Sequence, residues 1–232
     1  DRWVAPSEAS ESDLERLATA FADAAGRANR AGFDAVEVHS AHGYLLNQFL
    51  SPLANRRADR FGGSLENRMR FPLDVLRAVR SAWPEDKPLG FRISATDWVE
   101  GGFTPDEAVT YVGRVRSLGY DFVCVSSGGM VPDAPIPGTQ PGYQLALAER
   151  IKKETGILVR AVGMIADPLQ AEEVLKKGQA DMIALGRAFL DDPRWVWRAA
   201  QALKADFAYP FRYARCHPQV WPGARLARPG DL

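Results

Sequence analysis

With 232 residues, 46% of them hydrophobic, the chain can bury a substantial core, either as one large domain or as part of a larger one. Its 29 basic and 29 acidic residues cancel and no apolar run approaches membrane-spanning length, so neither nucleic acid nor a membrane is an expected partner. Cys124 and Cys216 lack the spacing of a zinc or iron–sulfur site, and Asp1-Arg2-Trp3 opens no signal-peptide pattern; no metal and a reducing, cytoplasmic setting are expected.

Ser12-Asp13-Leu14-Glu15 reads as a capping box, and Leu14, Leu17, Phe21, Ala24 and Ala28 follow at helical spacing up to a stop at Gly32. A first strand is predicted over 33–39, followed by a long loop and a helix from Ser64. Leu89 to Ser94 is a second strand, and Thr104-Pro105 opens a helix with threonine at the cap and proline at its first position. Asp121 to Ser126 is a third strand, nearly all apolar, as when both faces are covered. A Gly/Pro-rich loop then leads to a helix from about Gln144. Ile157 to Val162 and Asp181 to Leu185 are the fourth and fifth strands, with Asp167-Pro168 and Asp192-Pro193 starting the last helices, the final one to about Leu203. Strict alternation with buried-type strands means a parallel sheet.

Five units suit an open doubly wound sheet and fall three short of a (β/α)8 barrel. The glycines favour the barrel, because no G-x-G-x-x-G or P-loop follows the first strand. Small residues cluster instead after strands three, four and five, as Ser126-Ser127-Gly128-Gly129, Gly163-Met164-Ile165 and Gly186-Arg187. Any one of these glycines could simply permit a turn, but three turns in a row with Arg187 behind the last point to a phosphate site.

His39, His42 and Tyr44 leave the end of the first strand together, where such folds place their chemistry. Two imidazoles and a phenol offer two hydrogen-bond donors and a proton source, suited to a polarised carbonyl beside a protonatable carbon. Lone histidines in a loop usually satisfy backbone groups; two flanking one turn, with Tyr44 and Asn47 beside them, shift the balance toward a site. Arg92 interrupts an apolar strand, which is costly unless it meets something anionic or electron-rich, or a buried ion-pair partner such as Asp97 or Glu37. The run Arg56 to Ser64 reads either as a solvated basic loop or as an ordered loop across a barrel mouth.

Val38-His39-Ser40-Ala41-His42-Gly43-Tyr44-Leu45, Gln48 to Pro52, Asn55-Arg56-Arg57 and Asp59 to Arg68 closely resemble the Old Yellow Enzyme family of FMN-dependent ene-reductases, in its two-histidine, xenobiotic-reductase-like branch. The resemblance continues through Phe91 to Ser94, Val125 to Gly128, Ala161 to Ile165 and Leu185 to Ala188, and Trp3 to Ser7 is similar to the segment before the family's fourth strand. It implies a TIM-barrel α/β fold of which residues 1–232 form a single partial domain, strands 4–8 with a tail from about 204. It implies FMN and NAD(P)H as cofactors and hydride transfer through the flavin to the C=C bond of an α,β-unsaturated carbonyl compound such as an enone. His39 and His42 would hold the carbonyl oxygen, and Tyr44 would protonate the α carbon. Arg92 would face the flavin N1/O2 edge, Ser127, Gly163, Gly186 and Arg187 would lie near the FMN phosphate, and Gly128 and Met164 would also bind the cofactor. Tyr213-Ala214-Arg215 is similar to a C-terminal motif whose arginine enters a neighbouring subunit's site, although Cys216 to Leu232 depart from the family's short ending.

Three absent strands, on the order of a hundred residues, leave a barrel with two raw edges. The expectation is therefore a homo-oligomer, or a companion chain supplying those strands, with this chain a piece, a split form or a permuted form. The rival readings are a non-catalytic or partner-complemented barrel fragment and a flavin-free, phosphate-binding barrel isomerase. An aldolase is disfavoured because no lysine ends a strand.

Overall fold

Five parallel strands, β1 (Val36–Ser40), β2 (Leu89–Ser94), β3 (Phe122–Ser126), β4 (Leu158–Val162) and β5 (Met182–Ala184), pair in the order β1-β2-β3-β4-β5. A doubly wound sheet reverses its order at a switch point and a barrel does not, so the unbroken order identifies consecutive staves of the barrel type. In this computed structural model residues 7–138 and 140–227 are described; Trp3 to Pro6 and the tail beyond Ala227 lie outside them. Among the described residues, the outer edges of β1 and β5 pair with no further strand.

Curvature shows in one ion pair. Arg160 of β4 reaches Glu37 of β1. On a flat sheet those strands, three spacings apart, would stand about 14 Å from each other. Their side chains meet because the sheet curls into a trough.

Alternation sorts the strands into two faces. Val38, Leu89, Phe91, Ile93, Val123, Val125, Val159 and Ala161 are buried on the convex face, beneath the helices. The concave face carries a row in direct register, His39, Arg92, Cys124, Arg160 and Met182. One face therefore supplies the core and the other presents polar chemistry to the trough. Two aspartates set the register. Asp121 accepts the Leu89 N–H at 2.7 Å, and Asp181 does the same for Val159 at 2.8 Å.

The helices are α1 (Glu11–Arg30), α2 (Leu45–Leu50), α3 (Leu65–Ala82), α4 (Pro105–Arg116), α5 (Leu145–Thr155), α6 (Pro168–Lys176), α7 (Arg187–Asp191), α8 (Trp195–Ala202) and α9 (Ala224–Ala227), with a 3-10 turn over Phe211–Cys216. Ser64, Thr104 and Asp167 cap α3, α4 and α6 as expected.

Three expectations shift. The capping box of α1 is Ser10 with Asp13, not Ser12 with Glu15: the Ser10 hydroxyl accepts from Asp13 N at 3.2 Å and the Asp13 carboxylate from Ser10 N at 3.1 Å. Starting two residues earlier adds half a turn of helix while keeping both orphan donors satisfied. β1 begins at Val36 rather than Phe33, because the Phe33 N–H is spent on Ala28 O in closing α1. The helix expected from Asp192-Pro193 is α8, which begins at Trp195 after the Asp192 carboxylate accepts from Arg194 N at 3.0 Å, and the short α7 before it was not expected.

Candidate active site

The loop after β1 is ordered and contains α2. Asn55 is buried and its amide donates to Phe49 O and Phe61 O, both at 2.8 Å. Arg68, 5% exposed, ties the same loop down by donating to Leu50 O and pairing with Glu107 of α4. The basic run Arg56 to Ser64 is thus an ordered loop, with Arg57 held on Asp59 and stacked near Phe49 and Phe61.

His39, His42 and Tyr44 come together. The His39 ring centroid lies 5.2 Å from that of His42 and 5.2 Å from that of Tyr44. The turn that achieves this puts His42 and Gly43 at φ 59° and 73°. It also needs glycine for space: a Cβ on Gly43 would stand 2.4 Å from Gly129 O, and one on Gly129 would stand 2.7 Å from the His42 Cα. The glycines after β3 therefore have a packing role, letting the β1 and β3 turns touch backbone to backbone.

His42 is fixed at both ends. Its backbone N–H donates to Ser94 Oγ at 3.0 Å, and Ser94 donates onward to Gly128 O at 2.7 Å. Its ring Nε2 lies 2.8 Å from Ser126 Oγ. Tyr44 caps α2 through its backbone, its side chain makes no capping bond, and the residue is 62% exposed.

Arg92 pairs with neither expected carboxylate. Asp97 is buried, its Oδ2 accepting from Ser51 Oγ at 2.6 Å and Phe103 N at 2.7 Å, while Glu37 bonds to Arg160 and feels the Arg92 charge only at a distance. The Arg92 Nε is buried with no partner among the described residues. A buried guanidinium nitrogen without an acceptor, which Arg80 and Arg160 also carry beside their other bonds, suits an anionic or electron-rich group when, as at Arg92, the side chain makes no other bond to a described residue.

Burial, the Arg92 charge and, for His42, the neighbouring His39 all oppose protonation of the histidines: His39 is shifted down and His42 falls to about 4. Both rings are neutral at pH 7, each a donor through a single N–H. Linkage then gives a sign. The unfolded chain takes up a proton on His42 near pH 6.5 and the native state only near pH 4, so stability falls as pH drops across that window. We expect a loss of about 1–2 kcal/mol there, discounted for the half-exposed ring. His42→Gln should flatten that part of a urea-denaturation profile; an unaltered slope would assign the acid sensitivity elsewhere.

The phosphate-type turns are partly gathered. Gln144, 2% exposed, accepts from Ser127 Oγ at 2.5 Å and donates to Val162 O at 2.7 Å, and a Cβ on Gly163 would stand 2.5 Å from its Nε2. Gly128 follows Ser127, and Met164, at φ 50°, follows Gly163. Gly186 and Arg187 open α7, where Arg187 is exposed and makes no ion pair with a described residue. Arg215 lies exposed on the 3-10 turn and bonds to none of the β1 rings, while its neighbour Tyr213 packs on Trp197.

A sequence profile described as the NADH:flavin oxidoreductase / NADH oxidase family matches residues 2–206. The chain belongs to this family. Membership bears out the Old Yellow Enzyme resemblance. An NADPH dehydrogenase of Geobacillus thermodenitrificans is 49% identical over 210 residues, 90% of this chain and 61% of the relative. One from Bacillus subtilis is 40% identical over 215 residues, 93% of this chain and 62% of the relative. Among solved structures, morphinone reductase in complex with tetrahydroNAD superposes with a TM-score of 0.70 at 30% identity, covering 88% of this chain and 53% of that one. The chain thus spans about three fifths of the length of these curated relatives.

Three participants in the site carried no sequence signal of their own, Ser94, Gln144 and Arg160, and a fourth, Ser126, was read as part of a phosphate-type turn and not as a partner of His42. Their partners lie 18 to 123 residues away along the chain, and only the curled sheet joins them. Among the described residues no group of His, Cys, Asp or Glu could hold a metal, and no helix is long and apolar enough to cross a membrane.

Proposed function

We propose that this chain forms part of an FMN-dependent oxidoreductase that passes hydride from NAD(P)H to the C=C bond of an α,β-unsaturated carbonyl compound. The observation that carries the reading is the convergence of two neutral imidazoles and an exposed phenol beside Arg92, whose buried Nε has no hydrogen-bond partner among the described residues. Arg92 fits FMN: an orphaned guanidinium on the concave row suits the electron-rich N1/O2 edge of the ring. Ser127, Gly128, Gly163, Met164, Gly186 and Arg187 would hold the phosphate. Bound FMN supplies the hydride chemistry.

The chain's own groups do the rest. His39 and His42 each donate one N–H to the carbonyl oxygen, drawing charge from the alkene without placing a proton on it. Tyr44 holds the proton for the α carbon. Arg215 serves a neighbouring subunit, and a homo-oligomer or a companion polypeptide covers the raw edges of β1 and β5.

The test is optical. The purified protein should take up FMN and show its absorption band, and a phenol should then bind over the flavin. Converting both His39 and His42 to alanine should weaken phenol binding roughly 10- to 100-fold, at two lost hydrogen bonds, with flavin content intact. Unchanged phenol affinity would overturn the substrate assignment. A protein that takes up no FMN would favour the flavin-free reading.

A further inference from the structure

We infer that Ser126 fixes the tautomer of His42, giving its proton to Nε2 and leaving the ring's single N–H on Nδ1. The functional meaning rests on the substrate reading above; the geometry does not.

Ser126 has one proton and two acceptors in reach, His42 Nε2 at 2.8 Å and Gln144 Oε1 at 3.3 Å. Gln144 cannot turn its amide, because Nε2 donates to Val162 O at 2.7 Å, so Oε1 faces the two serines. That oxygen already accepts from Ser127 at 2.5 Å. Hydroxyl hydrogen bonds fall between about 2.5 and 3.0 Å, so the contact to His42 is a full bond and the longer one to Gln144 is not. The proton therefore sits toward the imidazole.

The ring cannot evade the choice. His42 N–H is held by Ser94, the Ser94 proton is committed to Gly128 O, and Gly129 closes against the His42 backbone. A neutral imidazole carries one proton. With Nε2 accepting, the donor is Nδ1–H, and no described hydrogen-bonding group meets Nδ1. Ser126 is then a positioning residue: it decides which nitrogen of His42 can polarise a substrate oxygen. A histidine free in water favours the other tautomer, with the proton on Nε2, so the protein holds the less favoured form.

The chain has 3 histidines, which makes the measurement direct. In protein labelled with nitrogen-15 histidine, a long-range proton–nitrogen NMR spectrum at pH 7 should show His42 Nε2 as a pyridine-type nitrogen and Nδ1 as a pyrrole-type one. Ser126→Ala should move the ring toward Nε2–H, Ser126→Thr should restore the wild-type pattern, and Gln144→Leu should leave it in place. A protonated Nε2 in the wild type, or no change in Ser126→Ala, would overturn the assignment; the wild-type spectrum alone decides the first point if the variant does not fold. In flavin-loaded protein Ser126→Ala should weaken phenol binding up to roughly tenfold at constant flavin content, with Ser126→Thr recovering it. Unchanged affinity alongside a switched tautomer would overturn the positioning role. Failure to load FMN would instead count against the functional reading and leave the tautomer result standing.

Discussion

Replacing Tyr44 by phenylalanine should slow enone reduction by about 10²- to 10⁴-fold while leaving reduction of the flavin by NAD(P)H at its normal rate. The factor is that of removing a positioned general acid. The prediction isolates chemistry from structure because of where Tyr44 sits. It caps α2 through its backbone alone, at φ −80° and ψ 173°, and its side chain makes no capping bond. The residue is 62% exposed, and its ring contact is to His39 at 5.2 Å, which phenylalanine keeps. Deleting one oxygen there should change stability by no more than about 0.5 kcal/mol. Stopped-flow separation of the two half-reactions is the measurement. Equal loss in both would assign Tyr44 to general architecture, and no loss in either would place the proton source elsewhere. The His39 and His42 variants should show the complementary pattern, weakened ligand affinity with flavin reduction intact.

The strands were legible because each is a short apolar run between turn residues, and four of the five match their predicted spans within one residue at each end. What the sequence could not separate was barrel from doubly wound sheet on periodicity alone; that rested on where glycines were missing. Strand order settles it, since pairing is a property of three-dimensional neighbours. The cluster of His39, His42 and Tyr44 was readable because its members are consecutive. The shell behind it was not. Ser126 lies 84 residues from His42 and reads as part of a phosphate-type turn, and Arg160 lies 123 from Glu37 and looks ordinary in its own strand. Arg92 shows the limit clearly: a charged residue in an apolar strand signals a purpose, but two carboxylates were equally good partners on paper. Only the curvature that hands Glu37 to Arg160 leaves the Arg92 Nε without a hydrogen bond. α2 escaped notice because six residues carry too little periodicity to separate a helix from a loop.

Neighbours on one strand should fail in opposite ways. Phe91 and Arg92 are adjacent on β2, and alternation sends one to the convex face and the other to the trough. Phe91 is wholly buried, with Tyr111 and Tyr120 set edge-on to its ring at centroid distances of 6.1 and 5.7 Å. Phe91→Ala should lower unfolding free energy by about 3–5 kcal/mol through lost transfer energy and a residual cavity. The molecules that remain folded should bind FMN with undiminished affinity, since nothing on the concave face has changed. Arg92→Met should do the reverse. It replaces a guanidinium whose Nε has no partner with an apolar chain of similar length, so stability should hold within about 1 kcal/mol or rise. Flavin affinity should fall by roughly 10- to 100-fold, the worth of one charge-assisted bond. Urea denaturation and FMN titration of the two variants give four numbers. If Arg92→Met destabilises as much as Phe91→Ala, the arginine is part of the scaffold. If it spares both stability and flavin binding, the concave row is not where the cofactor lies, and the two-face division of this sheet loses its functional meaning.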